Sequence, residues 1–237
     1  MMPSKTIVIA SILLFITSWF TVWQKELSFP VVSALMTVLL ALPAIYGCYV
    51  WLGRKRAVLL LISLGLFSYG IECFGLLTGF PYGTFSYTEN VGILLFDLLP
   101  LTLPFAWVPL LLGAYVLAHK QTKNAMHRYL LTIAYLLAID LVLDPGAVFL
   151  GFWEYAATGI WYGVPFTNFL GWIVSGSIGY LILRQFLKNN TSTPPKLLLI
   201  SYWFSVVFWT GICLFGSLWG GAIVGASLLW HIRRRVM

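Results

Sequence analysis

The chain has 237 residues, of which 60% are hydrophobic and only 9% charged, with a mean hydropathy of +0.92. That balance excludes a soluble globular domain and fits an all-α, polytopic membrane protein, because a bilayer forces each segment to close its backbone hydrogen bonds within a helix. A formal charge of +7 would suit a nucleic-acid binder, but the placement of the basic residues assigns it to membrane orientation and leaves no nucleic acid as partner.

No stretch alternates polar and apolar residues as a transmembrane barrel does. Hydropathy places spans near 7–23, 31–52, 57–79, 93–118, 128–144 and 166–187, and an apolar run at 197–231 follows Pro194 and Pro195. The first span is followed by WQKELSFP at 23–30, which lacks a small-residue cleavage site, so it is expected to stay as a helix. The last run is too long for one crossing of roughly 20 residues and is expected to split near 215–217. About eight transmembrane helices result, in one integral membrane domain, 1–237. Thirteen of the fourteen Lys and Arg residues then share one side, from Lys5 through the cluster at 54–56 to the closing Arg233, Arg234 and Arg235, and only Lys25 lies opposite. The positive-inside rule makes both termini cytoplasmic, with the cell membrane as the location. Residues 188–196 form a solvated loop. Gly171, Ser175 and Gly179, and Gly216, Gly220, Gly221 and Gly225, are spaced to let helix backbones approach. Cys48, Cys73 and Cys213 sit in apolar segments without a CxxC pair and read as small core residues, not as a disulfide or metal site.

The acids are distributed very differently. Glu72 lies seven residues from the outer end of span three, about 10 Å deep at the helical rise. Asp97 opens span four, Asp140 and Asp144 close span five, and Glu26, Glu89 and Glu154 belong to outer loops. His119, His127 and His231 all lie at the cytoplasmic rim. Ionisable groups inside a membrane are expensive and mark function by default. Asp140 and Asp144, at i and i+4, share a helix face. Two like charges so close in low dielectric cannot both ionise cheaply, so one is expected to keep its proton at neutral pH. Pro145 leaves the carbonyl of Leu141 without a helical donor, and a broken helix is expected there. A structural pair bonded to loop amides is the alternative for the aspartates, a tie to a neighbouring helix for Glu72, and a simple interfacial acid for Asp97.

The run DLVLDPGAVFLGFWEYAATGIWYGVPFTNFLGW at 140–172 contains no Lys, Arg or His. That suits acid chemistry on a large apolar molecule and not a phosphate or metal–imidazole site. Two outer loops are rich in aromatics: Tyr82 and Tyr87 in TGFPYGTFSY at 78–87, and Trp153, Tyr155, Trp161 and Tyr162 in the second. They are candidates to line a polyene channel and face a cation with their rings, or to form an interfacial belt.

Glu72 with TGFPYGTFSY at 78–87, PFAW at 104–107, DLVLDP at 140–145, GFW at 151–153 and YGVPFTNFLGW at 162–172 together resemble the CruF-type carotenoid biosynthesis family. Its members include carotenoid 1,2-hydratases and bisanhydrobacterioruberin hydratase. The resemblance covers roughly 65–175. It implies addition of water, without a cofactor, to the terminal double bond of an acyclic carotenoid, giving a tertiary alcohol. It implies Glu72, Asp140, Asp144 and Asn168 as catalytic candidates; Trp107, Trp172 and Asp97 join the loop aromatics as candidates for binding the substrate. Membrane lipid and further carotenoid-pathway enzymes are the implied partners. The chain departs from the family pattern at Tyr155, where a second tryptophan commonly follows Trp153, which bears on end-group fit.

Other classes fare worse. Asp140 and Asp144 look like half of a magnesium–diphosphate site, but a prenyltransferase needs further acids and phosphate-binding cations. A di-iron hydroxylase needs many histidines in the membrane. A pigment-binding subunit or a proton-coupled carrier would use the same acids without this turnover.

Overall fold

The structure, a computed structural model, describes residues 4–27, 29–188 and 190–236, without the side chains of Ser4, Arg235 and Val236. Asn189 of the loop at 188–196 and the Arg235 side chain of the closing basic cluster thus lie outside the described residues. Among the described residues are eight α-helices: α1 (Ser4–Trp23), α2 (Pro30–Leu52), α3 (Arg54–Thr78), α4 (Leu103–Gln121), α5 (Ala125–Phe149), α6 (Phe166–Leu187), α7 (Leu197–Phe215) and α8 (Trp219–Val236). The first seven are long and apolar enough to cross a bilayer. The chain is an all-α integral membrane protein. The long apolar run divides where expected: Ser217 turns the chain at φ 61, and Leu218 N–H closes back on the Cys213 carbonyl at 2.7 Å.

Two sequence expectations are corrected. The apolar stretch expected to open span four is instead a hairpin, strands β2 (Leu94–Leu95) and β3 (Leu99–Pro100), when counted after strand β1 (Phe85–Tyr87). Phe96 and Asp97 make its turn at φ 53 and 56, and Leu99, just before Pro100, is held extended by the proline ring. Hydropathy sees only the apolar content, whereas the turn and Pro100 decide the backbone. The second correction concerns Pro145. α5 does not break there but continues to Phe149. The Leu141 carbonyl that Pro145 deprives of its donor accepts the Trp161 indole N–H at 3.0 Å, so the missing helical bond is replaced from the loop.

α4, α5 and α7 form the interior; α1 packs on α7, α2 on α7 and α4, α3 on α4 and α6, and α8 on α5 and α7. α1 and α2 do not pack substantially on each other. The core shared by α4, α5 and α7 includes Leu111, Leu117, Leu136, Ile139 and Leu198, all 0% exposed. In lipid, apolar contact alone does little to favour helix on helix, and small residues and interhelical hydrogen bonds add the selectivity. Here Tyr202 donates to the Tyr135 carbonyl at 2.7 Å, and Ala44 N–H donates to Ser201 Oγ at 3.0 Å. On α8 the small residues are divided: a Cβ on Gly221 would stand 2.7 Å from Cys213 Sγ of α7, so there the helices approach closely, whereas Gly220 receives the ring of Trp161. On α6 they serve differently: Gly171 receives the ring of Tyr82 and Gly179 that of Trp107, so rings and not backbones fill the space.

Candidate active site

The two long connections, on the face opposite the basic residues, fold together. β1 pairs antiparallel with β4 (Trp153–Tyr155), setting Phe85 against Tyr155 and Tyr87 against Trp153. Strand side chains alternate, so these four aromatics share one face while Ser86 and Glu154 point out and are exposed. Thr88 pins the pairing: its N–H reaches the Phe152 carbonyl at 3.0 Å, and its hydroxyl reaches the Gly151 carbonyl at 2.5 Å.

Beneath this aromatic face lie the acids. Asp140 and Asp144 on α5 are 0% and 2% exposed, and Asn168 on α6 is 3% exposed. One nitrogen, Asn168 Nδ2, donates to Asp140 Oδ2 at 3.2 Å and to Asp144 Oδ2 at 2.5 Å. The two carboxyl groups are thereby gathered within reach of each other. Asp144 Oδ2 also accepts the Tyr155 hydroxyl at 2.9 Å, while Asp140 Oδ1 is buried with no partner. Glu72, on α3, accepts the hydroxyl of Tyr87. Each strand thus sends one phenol to one carboxyl. Burial, reinforced by the neighbouring carboxyls, pushes the phenols of Tyr82, Tyr87 and Tyr155 well above the ordinary range, so all three stay protonated donors. Tyr82 is seated by its ring, wedged between Gly171 and Gly75, whose Cβ position is 2.9 Å away. Thr167 donates to its carbonyl at 3.1 Å.

These groups border a cavity of about 290 Å³. Glu72, Asp144 and Asn168 supply polar wall, and Tyr82, Tyr87, Trp107, Trp153, Tyr155 and Trp172 supply aromatic wall. Asp140 stands behind Asp144 and Asn168, off the wall. Three other candidates are elsewhere. Asp97 is exposed in the hairpin turn; Trp161 is bound to the Leu141 carbonyl; and Tyr162 accepts the Gly220 N–H of α8 at 2.8 Å. The last two brace the loop against the bundle.

The cavity also has walls that sequence reasoning missed. Phe85 and Phe152 join the aromatic face, and Phe20 of α1, Met36 of α2 and Trp209 of α7 complete it. Phe85 carried a usable signal, the alternation Phe85–Tyr87 matching Trp153–Tyr155, which is a strand period. The helical residues carried none, being apolar positions in apolar spans. Lys25 is the one basic residue on the wall, and it is engaged by Glu26 at 3.6 Å and by the Phe149 ring at 4.6 Å.

Comparison with known proteins gives the family. The family described as carotenoid biosynthesis protein matches residues 28–232. The bisanhydrobacterioruberin hydratase of Haloarcula japonica is 39% identical over 212 residues, covering 83% of this chain and 71% of that protein. No solved structure matches the chain. Since the family match takes in all the helices that wall the cavity except α1, the chain belongs to the carotenoid biosynthesis protein family.

Proposed function

We propose that this chain adds water, without a cofactor, to the terminal trisubstituted double bond of an acyclic carotenoid and so makes a tertiary alcohol. That it is a carotenoid hydratase follows from its family and from 39% identity to a named hydratase over most of its length. The finer reading rests on one observation: two carboxyls joined through Asn168, one of them on the wall of an aromatic cavity.

An isolated alkene is a weak base, so only an un-ionised acid in a dry site can protonate it. The Asp140/Asp144 pair holds one proton between its members, because the basic residue described on the cavity wall, Lys25, is engaged by Glu26 and the Phe149 ring and not by the pair. Asp144 delivers that proton to the less substituted carbon; the π bond breaks, a C–H bond forms, and a tertiary cation is left. The faces of the wall aromatics stabilise that cation. A water oxygen then bonds to the cationic carbon and gives its surplus proton to Glu72, from which the pair is recharged. Net, one water is added and no proton is consumed. Trp153 Nε1–H, buried without a partner on the same wall, is the donor that holds the water. The polyene leaves the cavity between α1 and α2, which both pack on α7 and not on one another. We read the basic face as cytoplasmic and the acid cavity as lying in the outer half of the cell membrane.

Expression in cells that make an acyclic carotenoid tests this reading. The expected product gains the mass of one water, and its oxygen derives from labelled water. Oxygen derived from labelled dioxygen overturns hydration. Carotenoid that copurifies unaltered with the protein makes it a pigment-binding subunit instead.

A further inference from the structure

At the other end of α4 and α5, a second hollow of about 260 Å³ opens between the end of α4, the start of α5, the end of α6 and the connection to α7. Its charged walls among the described residues are all basic: Arg128, Arg184 and Lys188, with His119 beside them and neither Asp nor Glu. Among the described residues the one ion pair joins Lys25 to Glu26, at the opposite face. None of the cations around the hollow has a carboxylate to neutralise it.

Three buried nitrogens at this hollow have no hydrogen-bond partner among the described residues: Arg128 Nε, His119 Nδ1 and Asn190 Nδ2. The orientation of Asn190 is fixed, since its Oδ1 already accepts the Ser192 N–H at 3.0 Å and the Ser192 hydroxyl at 2.6 Å. Its NH2 end is therefore the end left over. Arg128 is held in place through Nη2, which donates to the carbonyls of Thr122 and Lys123 at 3.3 and 3.2 Å. Trp51 closes the side wall by donating to the Ser192 carbonyl at 3.1 Å.

Cations at the last turns of α4 and α6 also meet the negative ends of those helices, and the positive-inside rule accounts for basic loops in general. The end of α4 accounts for Nη2 of Arg128, which donates to the Thr122 and Lys123 carbonyls, but not for its buried Nε. Nor do they explain donors that are buried with nothing to bind. Buried donors need acceptors, and guanidinium cannot shed its charge. The complement is an anion with several oxygens set in different directions. Phosphate meets that description, and Arg is the side chain best shaped for it.

We propose that this hollow binds a phosphate group, carried by a phospholipid headgroup at the basic face of the membrane or free in solution. The full-length protein in a phosphate-free maltoside detergent tests this, with binding and unfolding temperature compared between detergent alone, detergent with phosphatidylglycerol, and detergent with inorganic phosphate against chloride at equal ionic strength. Phosphatidylglycerol or inorganic phosphate is expected to bind and raise the unfolding temperature; stabilisation by the lipid only identifies the headgroup as the source, and stabilisation by inorganic phosphate the free ion. R128Q/R184Q is expected to weaken binding by roughly tenfold or more, the scale of lost charge-assisted hydrogen bonds. R54Q/R56Q, on the same face but off the hollow, should keep it. Should R128Q/R184Q fold poorly, R184Q alone, at an exposed position, with lipid retention read by native mass spectrometry, serves instead. No stabilisation of the wild type by either anion, or equal binding by R128Q/R184Q or its single substitute and by R54Q/R56Q, overturns the site.

Discussion

α4 and α5 carry a hollow at each end, of about 290 and 260 Å³, and the two handle like charge in opposite ways. Among the described residues, acids converge at the loop end with no free cation, and cations converge at the basic end with no acid. A carboxyl pair can quench its own charge by holding a proton, whereas guanidinium cannot lose one and must be met by an anion. The walls follow from this. The acid end is walled largely by aromatic rings, a low-dielectric lining that favours the protonated carboxyl, while the basic end is bordered by polar loop residues and donors. Like charge gathered in a membrane protein is thus not one signal. Its chemistry is decided by whether the group can neutralise itself.

The comparison breaks most sharply at the aspartates. Asp144→Asn and Asp140→Asn retain size and hydrogen bonding but remove the exchangeable proton, and each is expected to cut hydration by at least about 100-fold, the scale of a lost general acid. Product analysis of membrane-inserted protein checks this. Because Asp140 stands behind Asp144, its variant should also shift the pH profile of any residual activity. R128Q/R184Q is expected to leave hydration intact in the same assay. Near wild-type rates in both aspartate variants move the acid elsewhere, and Glu72, across the cavity, becomes the candidate to test.

A smaller effect is expected from the phenols that only the acid end possesses. Tyr155→Phe removes the 2.9 Å hydrogen bond to Asp144 and keeps the ring against Phe85, at 5.7 Å between centroids. A hydrogen bond to an ionisable group is worth about 1.5–3 kcal/mol, so hydration should fall about tenfold or more at unchanged expression. Tyr87→Phe tests the corresponding contact with Glu72. An unchanged rate for both would leave the carboxyls positioned by Asn168 alone.

Much of this end was legible in the sequence, and the reasons differ by residue. Asp140 and Asp144 were visible because charge in an apolar span stands out and helical spacing fixes their shared face. Tyr155 was visible only as an aromatic; its bond to Asp144 needs the β1–β4 pairing, a contact between loops about seventy residues apart that no local pattern encodes. Trp161 and Tyr162 misled for the same reason: the residue types fit a cavity wall, but the fold uses their polar tips to hold Leu141 and Gly220. The hairpin at 94–100 was hidden because hydropathy measures content and not backbone shape. The walls from α1, α2 and α7 were hidden because an apolar residue facing a cavity reads like one facing lipid.

The seating of the rings gives the next prediction. Gly171 touches Tyr82 where a Cβ would stand, so Gly171→Ala must displace the ring or the helix. Overpacking of this kind costs about 1–3 kcal/mol, and a lower unfolding temperature with weakened carotenoid binding is expected. Gly70, whose Cβ position meets nothing within 4 Å, is the control: Gly70→Ala should not lower the unfolding temperature.

The smallest effect belongs to Asp97, an acid on the same face that the fold leaves outside the cavity. It is exposed and turns the β2–β3 hairpin at φ 56, a left-handed backbone that Asp and Asn tolerate better than other side chains with a Cβ. Its placement therefore reflects the turn and not the acid. Asp97→Asn removes the charge and keeps the backbone preference, so hydration should stay within about twofold of wild type, since surface changes away from special features typically alter stability by less than about 0.5 kcal/mol. Asp97→Val keeps neither; a β-branched residue at positive φ is strained, and the expected result is a less stable protein whose folded fraction still hydrates. A large loss in Asp97→Asn at normal expression would mean that charge at the cavity mouth takes part in turnover, and the separation between the buried acid pair and the surface acids would no longer hold.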